Sequence, residues 1–569
     1  MTGVQTCALP IYSRTSVGIL LIDSTTTIKA KTFREGFIPS ETATGTFVIS
    51  SQGHSLPVLS ISMDPSHLWD QKFGIYVEGV NGIPGNCSDA RNWNREWNRH
   101  SVIEYFDSLG IRRVEQDADV RIGGACSRNF PQKSLVIRAR SKYGSSLFDY
   151  NFFPNRNNKS CGGFILRNSG NDFNLTHFRD AFAQRLASKA MDIDFLDYQP
   201  VVVYLNGAYW GIQNIREKAD TDYIKDNYGY GEDEIDLLEI AGVKASVSGS
   251  WYEFDGYLNK LAQLNRTRPE TFQYIDEHID VDSYISYMVA EIYLGNTDWP
   301  GNNVRLWRPR KTGGKWRWGL WDMDFSFGLF EGFTNAFHPG LTFATQADQE
   351  SWPNPAFSTL HFRLALENPT FRLKFINRMQ AAMETVFQPD SVNRMIDMFA
   401  SRIASEIPAH KKKWGGTPED WQFEVSRLKK FALDRHGFMK QHMIEFFGLK
   451  NETLPLNVTV QDPVTGTFNL NEIRIQNAEF FGRLLQGSEV MLKPRSAVGY
   501  RFLKWKKSEM TFNESTIIEK GSSWKYFDQG ILPSANWYMP DYSDLQWSEG
   551  KAELRSEEHT SELQSHSFI

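Results

Sequence analysis

Five oxygen-bearing side chains crowd one stretch of the sequence, Ile292 to Gly328: Asp298, Asn302 and Asn303, and further on Asp322 and Asp324. Carboxylates and side-chain amide oxygens are the hard ligands that magnesium-like cations take. A neighbouring carboxylate can also orient a hydroxyl by accepting its proton. Together these residue types suit metal-assisted transfer to an oxygen nucleophile. Asp and Asn also gather in turns for local hydrogen-bonding reasons, so two capped turns are the competing reading.

The elements that must position them can be read from the same stretch. IYLGNTDWPGNNVRLWRPRKTGGKWRWGLWDMDFSFG reads as a loop holding Asp298, a strand, a hairpin turn at Gly313-Gly314, and an apolar strand ending in Asp322 and Asp324. The two acidic groups then come from neighbouring strand ends. The spacing Asp298-x4-Asn303 is the one protein kinases use, where the Asp takes the hydroxyl proton and the Asn holds a magnesium. An acid following a hairpin, in the run D-x-D-F-x-F-G, suits the second magnesium ligand.

Upstream, RIGGACSRNFPQKSLVIRAR sets the Gly123-Gly124 turn between two strands and puts Lys133 at the start of the second. A glycine turn beside a strand-borne Lys can cover and clamp phosphates, although a plain hairpin with a surface Lys is the simpler reading. Residues 175–191 predict an amphipathic helix, with Leu175, Phe178, Phe182, Leu186 and Ala190 on one face and Asn174 or Thr176 as cap. The Asn206-Gly207 turn between Val201–Leu205 and Tyr209–Ile215 predicts a hairpin. Glu217 and Lys218 leave it as a charge doublet, solvated unless Glu217 has a cationic partner. Residues 220–291 and 355–447 read as mostly helical, with His410 a polar helix-end residue and Lys411–Lys413 a solvated face.

Composition narrows the class. The chain has 569 residues, 41% hydrophobic, which suffices for several cores, and its formal charge of −6 gives no global attraction to nucleic acid. No apolar run is long enough to span a bilayer. Outside the first eleven residues only Cys87, Cys126 and Cys161 remain, enough for one disulfide or for three buried thiols. Residues 1–11 and 555–569 read as translated adapter sequence, so a missing signal peptide carries no information. Residues 12–50 read as the end of a truncated β-sandwich, and 455–548 as a separate β-rich module.

The succession R-I-G-G-A-C-S-R…P-Q-K-S-L-V-I, an amphipathic helix, Y-L-N-G-A-Y-W-G-I…E-K, G-N-T-D…N-N and W-D-M-D-F-S-F-G resembles the CotH (spore coat protein H) kinase-like family over about 56–448. The flanks resemble a chitobiase-type β-sandwich and a bacterial surface β-repeat (Gly499, Tyr500, Phe502, Trp505). The resemblance implies an α+β fold, a two-lobed atypical protein-kinase-like core flanked by small all-β modules. It implies a secreted or surface kinase that uses ATP and Mg²⁺ or Mn²⁺ on protein Ser/Thr, without nucleic acid or membrane span, and with glycan or cell-surface contact through the β modules. By that likeness Asp298 is catalytic and Asp322 binds metal. Asn303 joins them by spacing, and Asp324 binds metal or orients Asp322. Lys133 and Arg121 would face the phosphates, with Glu217 as the partner that positions Lys133. Two other classes fit the same residues: an inactive adhesion protein on the same fold, and a glycoside hydrolase using Asp298 and Asp322 as its carboxyl pair.

Overall fold

The computed structural model describes residues 20–50, 53–330, 335–347, 355–507, 523–527 and 542–551. The terminal segments 1–11 and 555–569, and the expectation attached to them, lie outside these residues. The chain divides into two compact units, one running to Phe502 and one beginning at Leu503. Within the second, Ser523–Tyr526 pairs antiparallel with Ser548–Lys551.

The first unit contains a closed barrel with strand order Tyr198–Leu205, Ala208–Arg216, Gly163–Arg167, Leu135–Ala139, Arg112–Ile122, Arg99–Phe106 and Val58–Met63. The last strand closes the ring by pairing in parallel with the first. Strict alternation divides each strand between two faces. Ile122, Leu135, Leu166 and Ile215 lie side by side and fill the barrel. One residue along, Arg121, Val136, Ile165 and Arg216 form the matching row on the outer face. The predicted Asn206-Gly207 hairpin is present, both residues having positive φ, and Asn206 Oδ1 accepts from the Met63 N–H at 2.8 Å. Cys87 and Cys126 form a disulfide, and Cys161 is a buried free thiol.

Below the barrel, the helix Val281–Leu294 is buried all round except at Asp282, which explains its almost continuous apolar sequence. It packs on the helix Pro369–Met383 and on the strand Arg317–Gly319. Arg435, buried on the long helix Pro418–Phe447, donates to the carbonyls of Ile292, Tyr293, Ala336 and His338 and so fixes the end of that buried helix.

Several expectations are corrected. The helical reading of 220–291 misses the strands Ile235–Ile240 and Lys244–Ser248, which form a sheet with Val304–Pro309 and Arg317–Gly319. Both strands are short, IDLLEI and KASVS, and five or six residues do not carry enough pattern to separate strand from helix. The helix expected from residue 175 begins at Arg179, and neither Asn174 nor Thr176 caps it. The carboxylate of Asp172 does that work, accepting from the N–H groups of Thr176 and Arg179. His410 and Lys411 are buried, not solvated: His410 Nδ1 accepts from Ile212 N–H at 3.0 Å and Lys411 Nζ donates to Asn174 O at 2.7 Å.

The flanks differ as well. The hairpin Thr26–Ala30/Ala43–Phe47 is bonded to the barrel through Thr46, whose N–H donates to Glu104 and whose hydroxyl meets Ser60. Strands between Thr453 and Ser496 belong to the first unit and not to a separate module. Phe468, Leu470 and Ile473 enter the main core, while Arg378 Nε donates to Asn471 O and Gln380 bonds Leu485 and Ser488. No boundary between compact units falls at 449–455.

Candidate functional site

Asp298 lies in the loop that follows the buried helix, beyond Gly295, which ends that helix in the left-handed conformation. Its Oδ2 accepts from Asn302 Nδ2 at 3.0 Å and Asn303 Nδ2 at 2.9 Å. Its N–H donates to Asn296 Oδ1 at 3.1 Å, and Asn296 Nδ2 in turn donates to the buried Glu291 at 2.9 Å. The carboxylate is therefore held through Oδ2, and the backbone of Asp298 through Asn296. Burial first, and then repulsion from Asp322, pushes its pKa up to about 6 against the two amide hydrogen bonds. The two acidic segments are also joined directly, since Phe327 N–H donates to Leu294 O at 2.9 Å.

Asp322 and Asp324 follow the strand Arg317–Gly319, Asp322 with a left-handed backbone of φ 48°. One terminal nitrogen of Arg167 reaches both carboxylates, at 2.5 Å from Asp322 Oδ1 and 2.7 Å from Asp324 Oδ2. Asp324 Oδ2 also accepts from the Asn171 N–H at 2.8 Å, and its Oδ1 is buried without a hydrogen-bond partner. Burial raises the pKa of Asp324 well above the carboxylate range; Arg167 opposes that rise, while Asp322 and Asp180 add to it.

A third carboxylate completes the network. Asp180, in the first turn of the helix Arg179–Ser188, lies 2.7 Å from Arg216 and 3.9 Å from Arg167. It also accepts from the Met323 N–H at 2.9 Å and from Gln184 at 2.6 Å. Burial disfavours its charge, yet Arg216 and Arg167 hold its pKa below the usual value. Next to it Arg179 joins Asp172 to the carbonyls of Ser326 and Phe327. Barrel strand, loop and helix together grip the Asp322–Phe327 segment.

Sequence reasoning missed Arg167, Asp180, Arg216, Glu291 and Asn296. The available signal was F-I-L-R followed by the R-D pair at 179–180: alternation turns Arg167 away from the barrel core toward the helix.

The other expected residues lie apart from the acids. Lys133 is two residues before Leu135 and so shares its inward-facing side, opposite to Arg167. It lies over the Trp93 ring at 3.8 Å and donates to Arg128 O and Phe130 O. Burial pushes its pKa down to about 8, against the attraction of Glu78. Glu217 does not pair with it. Glu217 accepts both Nε and a terminal nitrogen of Arg156, the latter at 2.7 Å, and also the Asp197 N–H. Arg121 is on the outer face with Arg167 but pairs with Glu96. It is three strand positions from Arg216, about 14 Å at ordinary sheet spacing.

The residues present fit a divalent cation that arrives with phosphates. Among the described residues no three carboxylate, thiolate or imidazole groups form a ready-made cage. Magnesium beside nucleotides ordinarily takes one or two protein carboxylates and completes its shell with phosphate and water. Asp322 and Asp324 share one guanidinium, that of Arg167, while Asp180 pairs with Arg216. Asp322, Asp324 through its unpartnered oxygen, and the amide oxygen of Asn303 are the atoms that would hold such an ion.

Comparison with known proteins follows the same direction. The family model described as "CotH kinase protein" matches residues 120–439, more than half of the chain. No curated protein matches. Among solved structures, the chain is similar to the Helicobacter pylori proinflammatory kinase CtkA at 9% identity, covering 63% of this chain and 95% of that one. The TM-score is 0.22, too low to support an argument about fold.

Proposed function

The chain belongs to the CotH kinase family, and from that premise we propose that it transfers the γ-phosphate of ATP to a Ser or Thr hydroxyl of a protein, with Mg²⁺ or Mn²⁺. The observation that carries the reading is the juxtaposition of two differently equipped acidic groups. Asp298 is cradled by two amides, whereas Asp322 and Asp324 share a single arginine and Asp324 keeps one buried oxygen without a hydrogen-bond partner.

Asp322, Asp324 and Asn303 would hold the cation, which would supply positive charge to offset that of the β- and γ-phosphates. Asp298 orients the acceptor hydroxyl and takes its proton. With a pKa near 6 it is ionised at neutral pH, yet basic enough to share a proton in the transition state. Asn302 and Asn303 keep its carboxylate from turning. The Asp180–Arg216 pair and Arg179 hold the Asp322 segment against the barrel, so positioning is settled before substrate arrives. Catalysis then rests on placement and charge, without a covalent enzyme intermediate.

The two-lobed description belongs to this reading: the barrel side would cover the nucleotide and the helical side would carry the acceptor. Secretion or surface exposure also belongs here, and the Cys87–Cys126 disulfide favours an oxidising compartment.

The test is incubation of the full chain with γ-labelled ATP, Mg²⁺ or Mn²⁺, and a Ser-rich acidic acceptor. Label should pass to protein with the metal and stop when it is chelated. Transfer that ignores chelation, or no transfer under any metal, would refute the reading.

A further inference from the structure

Arg167 is the one cation in contact with both Asp322 and Asp324 among the described residues, and the family reading gives it no task. The same terminal nitrogen lies within hydrogen-bond distance of an oxygen from each acid. At Asp322 that oxygen is Oδ1, on the carboxylate proposed to hold a divalent ion, and at Asp324 it is the neighbour of the unpartnered Oδ1. The contact is enforced from behind: Gly170, at φ +54°, lies so close that a Cβ there would meet Asp324 Oδ2 at 2.1 Å and the Arg167 guanidinium at 2.6 Å. A side chain at this position would push the two groups apart.

Arg167 also has a second anchor. Its other terminal nitrogen is 3.9 Å from Asp180, which is itself fixed by Arg216, Gln184 and the Met323 N–H. If the two site carboxylates were engaged elsewhere, the guanidinium would still have a fixed anionic neighbour. Arg167 ends the strand before the helix that bears Asp180. A strand-borne cation thus meets a helix-borne acid.

Resting on the phosphotransferase reading, we propose that Arg167 is the chain's own counter-ion for Asp322 and Asp324, and that it becomes a phosphate contact when a divalent cation takes over those carboxylates with nucleotide. A guanidinium suits the second task because its planar fork can hold two phosphate oxygens at once. Cation and arginine compete for the same carboxylates, so metal alone binds against Arg167. Nucleotide gives the displaced guanidinium a new anionic partner, and metal and nucleotide therefore bind with positive coupling.

The test uses the full chain with Arg167→Gln and Arg167→Met. Mn²⁺ affinity without nucleotide is read by electron paramagnetic resonance, and ATP affinity with Mn²⁺ by calorimetry. The two should move in opposite directions. Mn²⁺ binds more tightly once its competitor is gone, while ATP binding weakens about 10- to 100-fold, as expected for loss of a charge-assisted contact. A purely structural arginine would weaken both, and that result, or no change in either, overturns the proposal. If neither variant keeps a wild-type melting curve, Arg167→Lys decides: its single ammonium should shift both affinities in the same directions by less, and unchanged affinities overturn the proposal. Wild-type chain that binds Mn²⁺ but no ATP would refute the phosphotransferase reading and the phosphate half of this one. The Mn²⁺ comparison still decides the counter-ion half.

Discussion

At the scale of single residues, Asp298 holds its proton more tightly than an exposed carboxylate because burial and Asp322 both oppose its charge. Below a pH of about 6 it is protonated and cannot accept the acceptor's proton. Transfer should therefore fall as pH drops through that value and level off above it. A cation on Asp322 removes part of the repulsion, so with saturating Mn²⁺ the limb should lie at or below that pH. Asp298→Asn should leave a low rate with no such limb. A pH–rate profile identical in the wild type and this variant would show that another group sets it. The positions of Asp298 in a loop and of Asp322 and Asp324 after a strand were legible in the sequence because loop spacing and strand ends are local features. Lys133 precedes the strand Leu135–Ala139 and lies over Trp93, a placement that depends on contacts distant in sequence. The partnership of Arg167 with Asp322 spans 155 residues of sequence and has no local signature.

At the scale of elements, two neutral imidazoles share Ile212 of the barrel: His410 latches the helix Ile407–Trp414 to it, and His177 holds the segment before Arg179–Ser188. His177 Nε2 donates to Ile212 O at 2.9 Å, and His410 Nδ1 accepts the Ile212 N–H at 3.0 Å. Burial pushes His177 down to about 4 and His410 well below its usual value, the latter also repelled by His177 and Lys411. The folded state thus binds fewer protons than the unfolded chain between the ordinary histidine range and about pH 4. The latch contributes fully above about pH 6.5 and is lost as pH falls through that window. His410→Phe removes the acceptor and should cost roughly 1–3 kcal/mol at neutral pH. Thermal melts from pH 8 to pH 4 should show a shallower loss for the variant, and parallel curves would contradict the latch. The sequence offered His410 only as a helix-end residue, since nothing local reveals that its partner is a barrel amide. The Asn206-Gly207 hairpin, by contrast, was legible because two adjacent residues specify its turn.

At the scale of the whole molecule, the barrel supplies a rigid outer face, the buried helix supplies Asp298, and the hairpin strands deliver Asp322 and Asp324. The strands from Thr453 to Ser496 support this arrangement through Arg378, which binds Asn471, Ser286 and Asp282 at once. A chain ending at residue 450 would leave that arginine without Asn471 and uncover the core side chains against Phe468 and Leu470. It should melt several degrees lower or fail to stay soluble, and an unchanged melting curve would restore the separate-module reading. The sequence made those strands look independent because their pattern is self-consistent β, while the docking surface on Pro369–Met383 appears only in three dimensions. The central claim is tested most directly by measuring ATP affinity beside transfer rate for Asp322→Ala and Asp298→Ala, with melting curves as control. Asp322→Ala should lose metal-dependent ATP binding and transfer together, while Asp298→Ala should keep most of its ATP binding and lose transfer. Equal, small effects of both substitutions on binding and transfer would contradict the assignment of this site to phosphoryl transfer.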